Sequence, residues 1–256
     1  MSSFLLATGT LWQREMVRFL RQRSRVVGAF ASPLLFWVLI GSGVGSSFRG
    51  AASGEMNYME YFFPGTVVMI LLFTSIFSTI SIIEDRKEGF LQAVLVAPIP
   101  RSAFVLGKLL GGTTLAVGQG VLFMLLAPLV GISLSAIPAA LGMMGLVAFG
   151  LTALGYTIAW SMDSTQGFHA IMNLFLIPMW LLSGSVFPAS GASQWLRWVM
   201  MINPLTYGLA AVRWSIYGAG SAATLNLPSF VLSLAVSVVF AISLFAAAIL
   251  MTRRTK

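Results

Sequence analysis

The residues that could do chemistry are few in this 256-residue chain: seven acids, one histidine and no cysteine. Without cysteine there can be no disulfide, thiolate metal site or thiol nucleophile. His169 alone cannot build a two-histidine metal centre, so H-E-x-x-H chemistry is impossible. There is no G-x-S-x-G nucleophile elbow and no pair of aspartates inside an apolar segment. The nearest approach to a phosphate-binding loop is Gly107-Lys108. There the pattern G-x-x-x-x-G-K-[ST] would need glycine at Ser102 and a hydroxyl at Leu109. No catalytic residue and no metal ligand is assigned.

The charges instead form one compact run, Glu84-Asp85-Arg86-Lys87-Glu88. It is followed by Gly89, an apolar turn with Leu91 and Leu95, then Pro98-Ile99-Pro100-Arg101. Such a segment can be a rigid element for a soluble partner to grip, or a loop whose charges keep it out of a bilayer. Leu91, Val94, Leu95 and Val96 suit the first reading, because a purely solvated loop has no need of them.

The rest of the sequence says where that segment sits. Hydrophobic residues make up 58% and charged residues only 9%, with mean hydropathy +0.92. A soluble domain carries about 25% charged residues, so the class is polytopic membrane protein. The net charge of +8 lacks the basic stripe on a soluble fold that a nucleic-acid binder needs, and no nucleic acid is expected. Windows of about 20 apolar residues predict six spans, Val26–Gly45, Phe62–Ile83, Leu109–Val130, Ile137–Met162, Phe168–Phe187 and Ser229–Met251.

With six spans both termini share a side. That side holds Arg14, Arg18, Arg21, Arg23, Arg25, Arg86, Lys87, Arg101, Lys108, Arg253, Arg254 and Lys256, against Arg49, Arg197 and Arg213 opposite. Basic residues mark the cytoplasmic face, so both termini and the 84–101 segment are expected there, in a cytoplasmic (inner) membrane. The acids fall outside the spans or at their ends, leaving no intramembrane carboxylate for an ion-coupled carrier or an acid-ringed cation path.

Arg14, Arg18, Arg21 and Arg25 step by 4, 3 and 4, opposite Leu5, Trp12, Met16 and Phe19. This predicts an amphipathic helix over residues 1–25 on the cytoplasmic membrane surface, its arginines beside lipid headgroups. A plain topology anchor is the other reading. Residues 188–228 are apolar for a loop and are broken at Asn203-Pro204, which predicts short interfacial or re-entrant helices outside. Thr74 and Ser78 in the second span and Asn173 in the fifth could line a path, or could hydrogen-bond between helices. Gly41-x-x-x-Gly45 and Gly107-x-x-x-Gly111 read as close packing.

The ordered set Asp85-Arg86, Gly89, Leu91, Leu95, Pro98 and Arg101, continued by Gly107-Lys108, resembles the membrane subunits of type-2 ATP-binding-cassette exporters. Phe63-Pro64-Gly65, Phe187-Pro188 and Asn203-Pro204-Leu205-Thr206-Tyr207 with Arg213 are similar to further family segments, so the likeness runs through nearly the whole chain. The family has drug, nodulation-factor and polysaccharide exporters. The resemblance implies an all-α single permease domain over 1–256. Within it lie a cytoplasmic helix (1–25), five spans (26–187), an outer segment (188–228) and a sixth span (229–251).

It also implies a coupling helix in 84–101, with Glu84, Lys87 and Glu88 among its contacts. The chain would hold no cofactor. ATP and magnesium would sit on two separate ATPase subunits, and a second permease copy or a related permease would complete the complex by alternating access. Two positions depart from the family pattern. Gln92 stands where an acid is common, and a second acid common near Ala210, upstream of the arginine, is missing, which leaves Arg213 without its implied partner. The uncharged spans point to a hydrophobic or amphipathic cargo. A non-transporting membrane scaffold, or an intramembrane enzyme using His169, are the competing classes.

Overall fold

The computed structural model describes residues 2–21, 23–48, 57–218, 221–224 and 226–254, and every regular element among them is helical. Arg49 and the side chain of Arg25 lie outside what is described. The elements are α1 (Ser2–Arg21), α2 (Arg23–Phe48), α3 (Tyr58–Ser78), α4 (Ile80–Lys87), α5 (Phe90–Val96) and α6 (Arg101–Met124). They continue as α7 (Ala136–Trp160), α8 (Thr165–Trp180), α9 (Gln194–Ile202), α10 (Pro204–Tyr217) and α11 (Phe230–Arg254).

Five stretches are long and apolar enough to cross a membrane: 58–87, 101–124, 136–160, 165–185 and 230–254. They coincide with five of the six expected spans. The remaining window falls on α2, whose described apolar stretch is Ala31–Gly43. The chain is a multi-pass membrane protein, and α3 is its hub. In 58–87 the most apolar window is 83% buried, against 17% in α11, so α3 packs on protein all round while α11 borders the bundle. Around α3 stand α2, α6, α7, α8 and α10. Phe63 stacks on Phe123 at 4.8 Å, and Trp37 of α2 meets both rings edge-on at 5.7 and 5.5 Å.

The spans end where their residues require. Asn57 caps α3 by accepting from the Met59 amide, and Ser164 caps α8 by accepting from Gly167. Thr79 bends α3 into α4 by donating its hydroxyl to the Ile76 carbonyl at 2.6 Å. Gly89, at φ +77, ends α4 and starts α5, a left-handed turn that L side chains rarely adopt.

The N-terminal helix differs from expectation. It runs along α6, burying Thr8, Leu11, Glu15 and Phe19, while Leu5 is 61% and Trp12 37% exposed. Gly107 and Gly111 permit this. A Cβ on Gly107 would lie 2.7 Å from Leu11 Cβ, and one on Gly111 would lie 2.7 Å from Glu15 Cβ. Trp12 Nε1 also donates to Thr114 Oγ1 at 3.1 Å. The Gly107-x-x-x-Gly111 spacing is therefore the seat of α1. Substituting Gly111→Val is expected to cost about 1–3 kcal/mol by overpacking. The readout is earlier proteolysis within α1 in membranes, at a dose that leaves the native chain intact.

Candidate functional site

Asp85 is the centre of the charged segment, and it has no solvent exposure. It lies in the last turns of the 58–87 stretch, on the face of α4 turned to α1 and α6. Arg14 grips it with both nitrogens, at 2.6 Å to Oδ1 and 3.1 Å to Oδ2. Arg18 donates to Oδ1 at 2.7 Å, and Lys108 Nζ donates to Oδ2. Lys108, itself 4% exposed, also reaches Glu15 at 2.6 Å and the Ser81 hydroxyl at 3.1 Å. Arg18 extends the cluster to Glu84 at 2.9 Å and Glu88 at 3.2 Å. Arg14 finally lies 3.7 Å over the Phe90 ring.

The electrostatics follow from this crowding. Three cations, Arg14, Arg18 and Lys108, face four carboxylates, Glu15, Glu84, Asp85 and Glu88. Burial alone would push the Arg14 guanidinium down. Its hydrogen bonds to Asp85, and the charges of Asp85, Glu15 and Glu88, outweigh that and hold it above its ordinary value. Ions removed from water are costly unless each is paired. Here they bind three helices into one body.

Two more arginines fasten the same segment to helix ends. Arg86 donates to the carbonyls of Trp160 and Met162 (3.1 Å for the latter) and to Asp163 at 2.7 Å, at the C-terminus of α7. Arg101 donates to the Thr252 and Arg253 carbonyls at 2.9 and 2.6 Å, at the C-terminus of α11. The last carbonyls of a helix have no intrahelical donors and carry its negative dipole end, so a guanidinium suits both places.

Several sequence expectations are corrected by this geometry. Arg14 and Arg18 face carboxylates, not headgroups, because Asp85 offers them a desolvated partner; Arg21 stays exposed. Glu15 and Asp85 are buried, and Lys108 lies inside α6 instead of ahead of the third span. Asp85, Arg86 and Arg101 point into the protein, and Leu91, 3% exposed, joins the core with Leu95 packed against it. The outward face of the segment is Lys87, Glu88, Gln92, Ala93, Val96 and Pro98, and Val96 is 86% exposed. Glu15 and Lys108 were missed as site residues. For Lys108 a signal was available, since a lone charge among the apolar residues of a spanning helix requires a partner.

At the opposite end Asn203 caps α10, accepting from the Leu205 amide at 3.0 Å and donating to the Met179 carbonyl at 2.6 Å, with Pro204 in the first helical turn. Tyr207 donates to the Met201 carbonyl at 2.9 Å. Arg213 is 2% exposed, and among the described residues no carboxylate is within salt-bridge reach. Carbonyls of Gly184 (3.0 Å) and Tyr61 (3.3 Å) and the Tyr61 ring (4.2 Å) take the acid's place. Gly184 can offer its carbonyl because the chain turns there at φ +87.

Thr74 and Ser78 lie on the wall of a cavity of about 560 Å³ between α2, α3 and α8. Asn173 is exposed on α8 but is not part of that wall. His169 is exposed, with its ring 4.9 Å from that of Phe77. Among the described residues no cluster of acids and histidines could hold a metal.

Known proteins are similar to this chain in sequence. The ABC-2 type transporter family matches residues 7–217, from α1 through α10. The ycf38 protein of Cyanophora paradoxa, described as a transport permease, is 24% identical over 82% of this chain and 74% of its own length. The inner membrane transport permease YadH of Escherichia coli K12 is 22% identical over 85% of this chain and 86% of itself. The probable multidrug ABC transporter permease YbhR of the same organism is 28% identical, over 60% of this chain and 42% of its own length. With its helices and matched segment covering the same ground, the chain belongs to the ABC-2 type transporter family, as a membrane permease component that is not itself catalytic and works with an ABC ATPase.

Proposed function

We propose that the chain is the membrane half of an ATP-driven exporter for hydrophobic or amphipathic cargo. Two copies, or one copy with a related permease, would stand in the cytoplasmic membrane above two ATPase subunits that carry ATP and magnesium. The observation that carries this reading is the Asp85 junction. It makes α1, α4 and α6 one body directly behind the exposed face of α5, while Arg86 and Arg101 hold α7 and α11 to the same segment. A push on α5 would reach four transmembrane stretches without loss in a flexible loop.

In this reading α2 is the sixth span, both termini are cytoplasmic, and α9 and α10 form the outer interfacial or re-entrant segment. The basic residues named above support that orientation. So do Trp195 and Trp198, 67% and 62% exposed on α9, where amphipathic rings suit a membrane–water boundary. Alternating access then opens a path past Thr74, Ser78 and Asn173. The cysteine-free sequence makes the topology directly testable. Single cysteines at Ser3 and Arg254 are expected to react with an impermeant maleimide only after the cells are opened, and one at Ser190 in intact spheroplasts. Co-reconstitution with the cognate ATPase then decides function. ATP-dependent efflux of a lipophilic dye is expected, whereas a scaffold would bind the ATPase and move nothing.

A further inference from the structure

The cavity between α2, α3 and α8 has two unlike ends, and neighbouring contacts fix which residues belong to each. Trp180 donates its indole N–H to the Gly65 carbonyl at 2.8 Å and lies 6.0 Å from the Phe62 ring. His169 lies beside Phe77 instead, at 4.9 Å between rings. So α8 runs antiparallel to α3, and eleven residues, about 16 Å of helix, separate His169 from Trp180. Trp37 on α2 meets Phe63, and Gly41 approaches Met59, which puts Phe36 at the Trp180 end. There the wall is Phe36, Met69, Ile177 and Trp180, and its one N–H is already spent on Gly65. The other end holds Thr74, Ser78 and His169, next to Ile80 of α4. Thr74 Oγ1 donates to Gln119 Oε1 at 2.5 Å and Ser78 Oγ to the Ser75 carbonyl at 2.7 Å, so both keep lone pairs as acceptors. The His169 ring has no hydrogen-bond partner among the described residues and can both donate and accept. Ser32, whose hydroxyl is also uncommitted, stands between the ends, four residues or about 6 Å from Phe36 along α2.

We infer that this cavity holds amphiphiles with a single polar head, placed head toward His169 and tail between Phe36, Met69 and Trp180. The inference rests on the export reading above and names the class and orientation of its cargo. A compact head that donates as well as accepts, such as a hydroxyl or an amide, matches the head end. It gives protons to Thr74 and Ser78 and takes one from His169. A molecule polar at both ends would bury its second head against rings and a thioether, with no partner. A glycan, polar along its whole length, fares worse. The volume of about 560 Å³ is within the range usual for one drug-sized molecule.

The test uses dodecanamide carrying a photoreactive diazirine either beside the head or at the tail tip. The permease–ATPase complex is held in amphipol without nucleotide, so that no bilayer aligns the probe. Only labelling that excess unlabelled dodecanamide removes is counted, and the labelled residues are read by mass spectrometry. The head-side probe is expected on Phe77, Ser78 and His169, and the tail-tip probe on Phe36, Met69 and Trp180. The bolaform dodecanediamide should compete at least about tenfold more weakly than dodecanamide. His169→Leu should weaken dodecanamide about threefold to tenfold, and His169→Gln, which keeps a donor and an acceptor, should restore most of it. An unchanged melting temperature shows that the leucine variant is folded, since His169 is exposed. The same labelling by both probes, or the reverse pattern, overturns the inference. So does equal competition by the bolaform, or a leucine variant that binds as the native chain does. ATP-driven transport of dodecanamide is measured separately on the same complex after reconstitution. Flux with unoriented labelling would leave the export reading standing while this inference fails. Oriented labelling without any ATP-driven flux would do the reverse.

Discussion

Replacing Asp85 with alanine is expected to destabilise the chain by about 3–5 kcal/mol, because it strips the common partner from Arg14, Arg18 and Lys108 while leaving them in place. Arg18 keeps Glu84 and Glu88, which are in water or near it, and Lys108 keeps Glu15 and Ser81. Arg14 loses most, since its remaining carboxylate is Glu15 at 3.2 Å, shared with Lys108. The variant should reach the membrane in much reduced amount and lose its thermal transition at growth temperature. Glu88→Ala, removing a 58% exposed side chain from the same cluster, should change neither. A combined Asp85→Leu, Arg14→Leu and Lys108→Met variant separates pairing from charge as such. If desolvation is the governing cost, that apolar triple should recover much of the lost stability, yet transport should stay low because α1 is no longer tied to α4. An Asp85→Ala protein as stable as the native chain would remove the junction from the account of this fold.

What could be read from the sequence divides along physical lines. A span announces itself by composition over consecutive residues, so five of the expected spans coincide with apolar helices in the structure. The Asn203-Pro204 break was equally local, and it separates α9 from α10. The partners of the charges were not local. Arg14 and Asp85 are 71 positions apart, and an arginine stripe looks the same whether it faces headgroups or a carboxylate. The face α1 buries, Thr8, Leu11, Glu15 and Phe19, is too mixed in polarity to read as a core stripe. It becomes one only because Gly107 and Gly111 bring α6 close and Lys108 answers Glu15.

Arg213 shows a different limit. The missing acid near Ala210 suggested an arginine without a partner, but backbone carbonyls belong to every residue and carry no sequence signature. The turn at Gly184 aims one at the guanidinium, and the Tyr61 carbonyl supplies another. The neighbouring Tyr217 hydroxyl donates to the Glu60 carbonyl at 2.8 Å, and burial, helped by the Glu60 charge, pushes its ionisation upward. Tyr217 therefore stays a neutral donor and fixes α10 to the start of α3. The end of the bundle around Arg213 is held by carbonyl acceptors, the end around Asp85 by ion pairs. Of the two, ion pairs are the more readily altered by a charged partner.

Reversing the character of the α5 surface is the second large effect expected. Val96 is 86% exposed at the end of a seven-residue helix whose other side is held by Leu91 and Leu95, and Gln92 is exposed on the same outward face. If the ATPase covers this face, Val96→Asp would bury an unpaired carboxylate in the contact, at a cost of about 2 kcal/mol or more. ATP-driven export should fall by about thirtyfold or more, the factor that energy represents. Because Val96 touches solvent and not the core, the permease alone should keep its melting temperature and its level in the membrane. Val96→Ala is the milder control, with a loss of several-fold at most. Gln92→Glu tests the neighbouring departure from the family pattern, since an acid there should strengthen ATPase binding if the partner offers a cation. Loss of both stability and export in Val96→Asp would place the residue in the fold instead of the contact. Full export with an intact complex would move the point of energy transfer away from α5, to the exposed side of α1 around Val17 and Arg21.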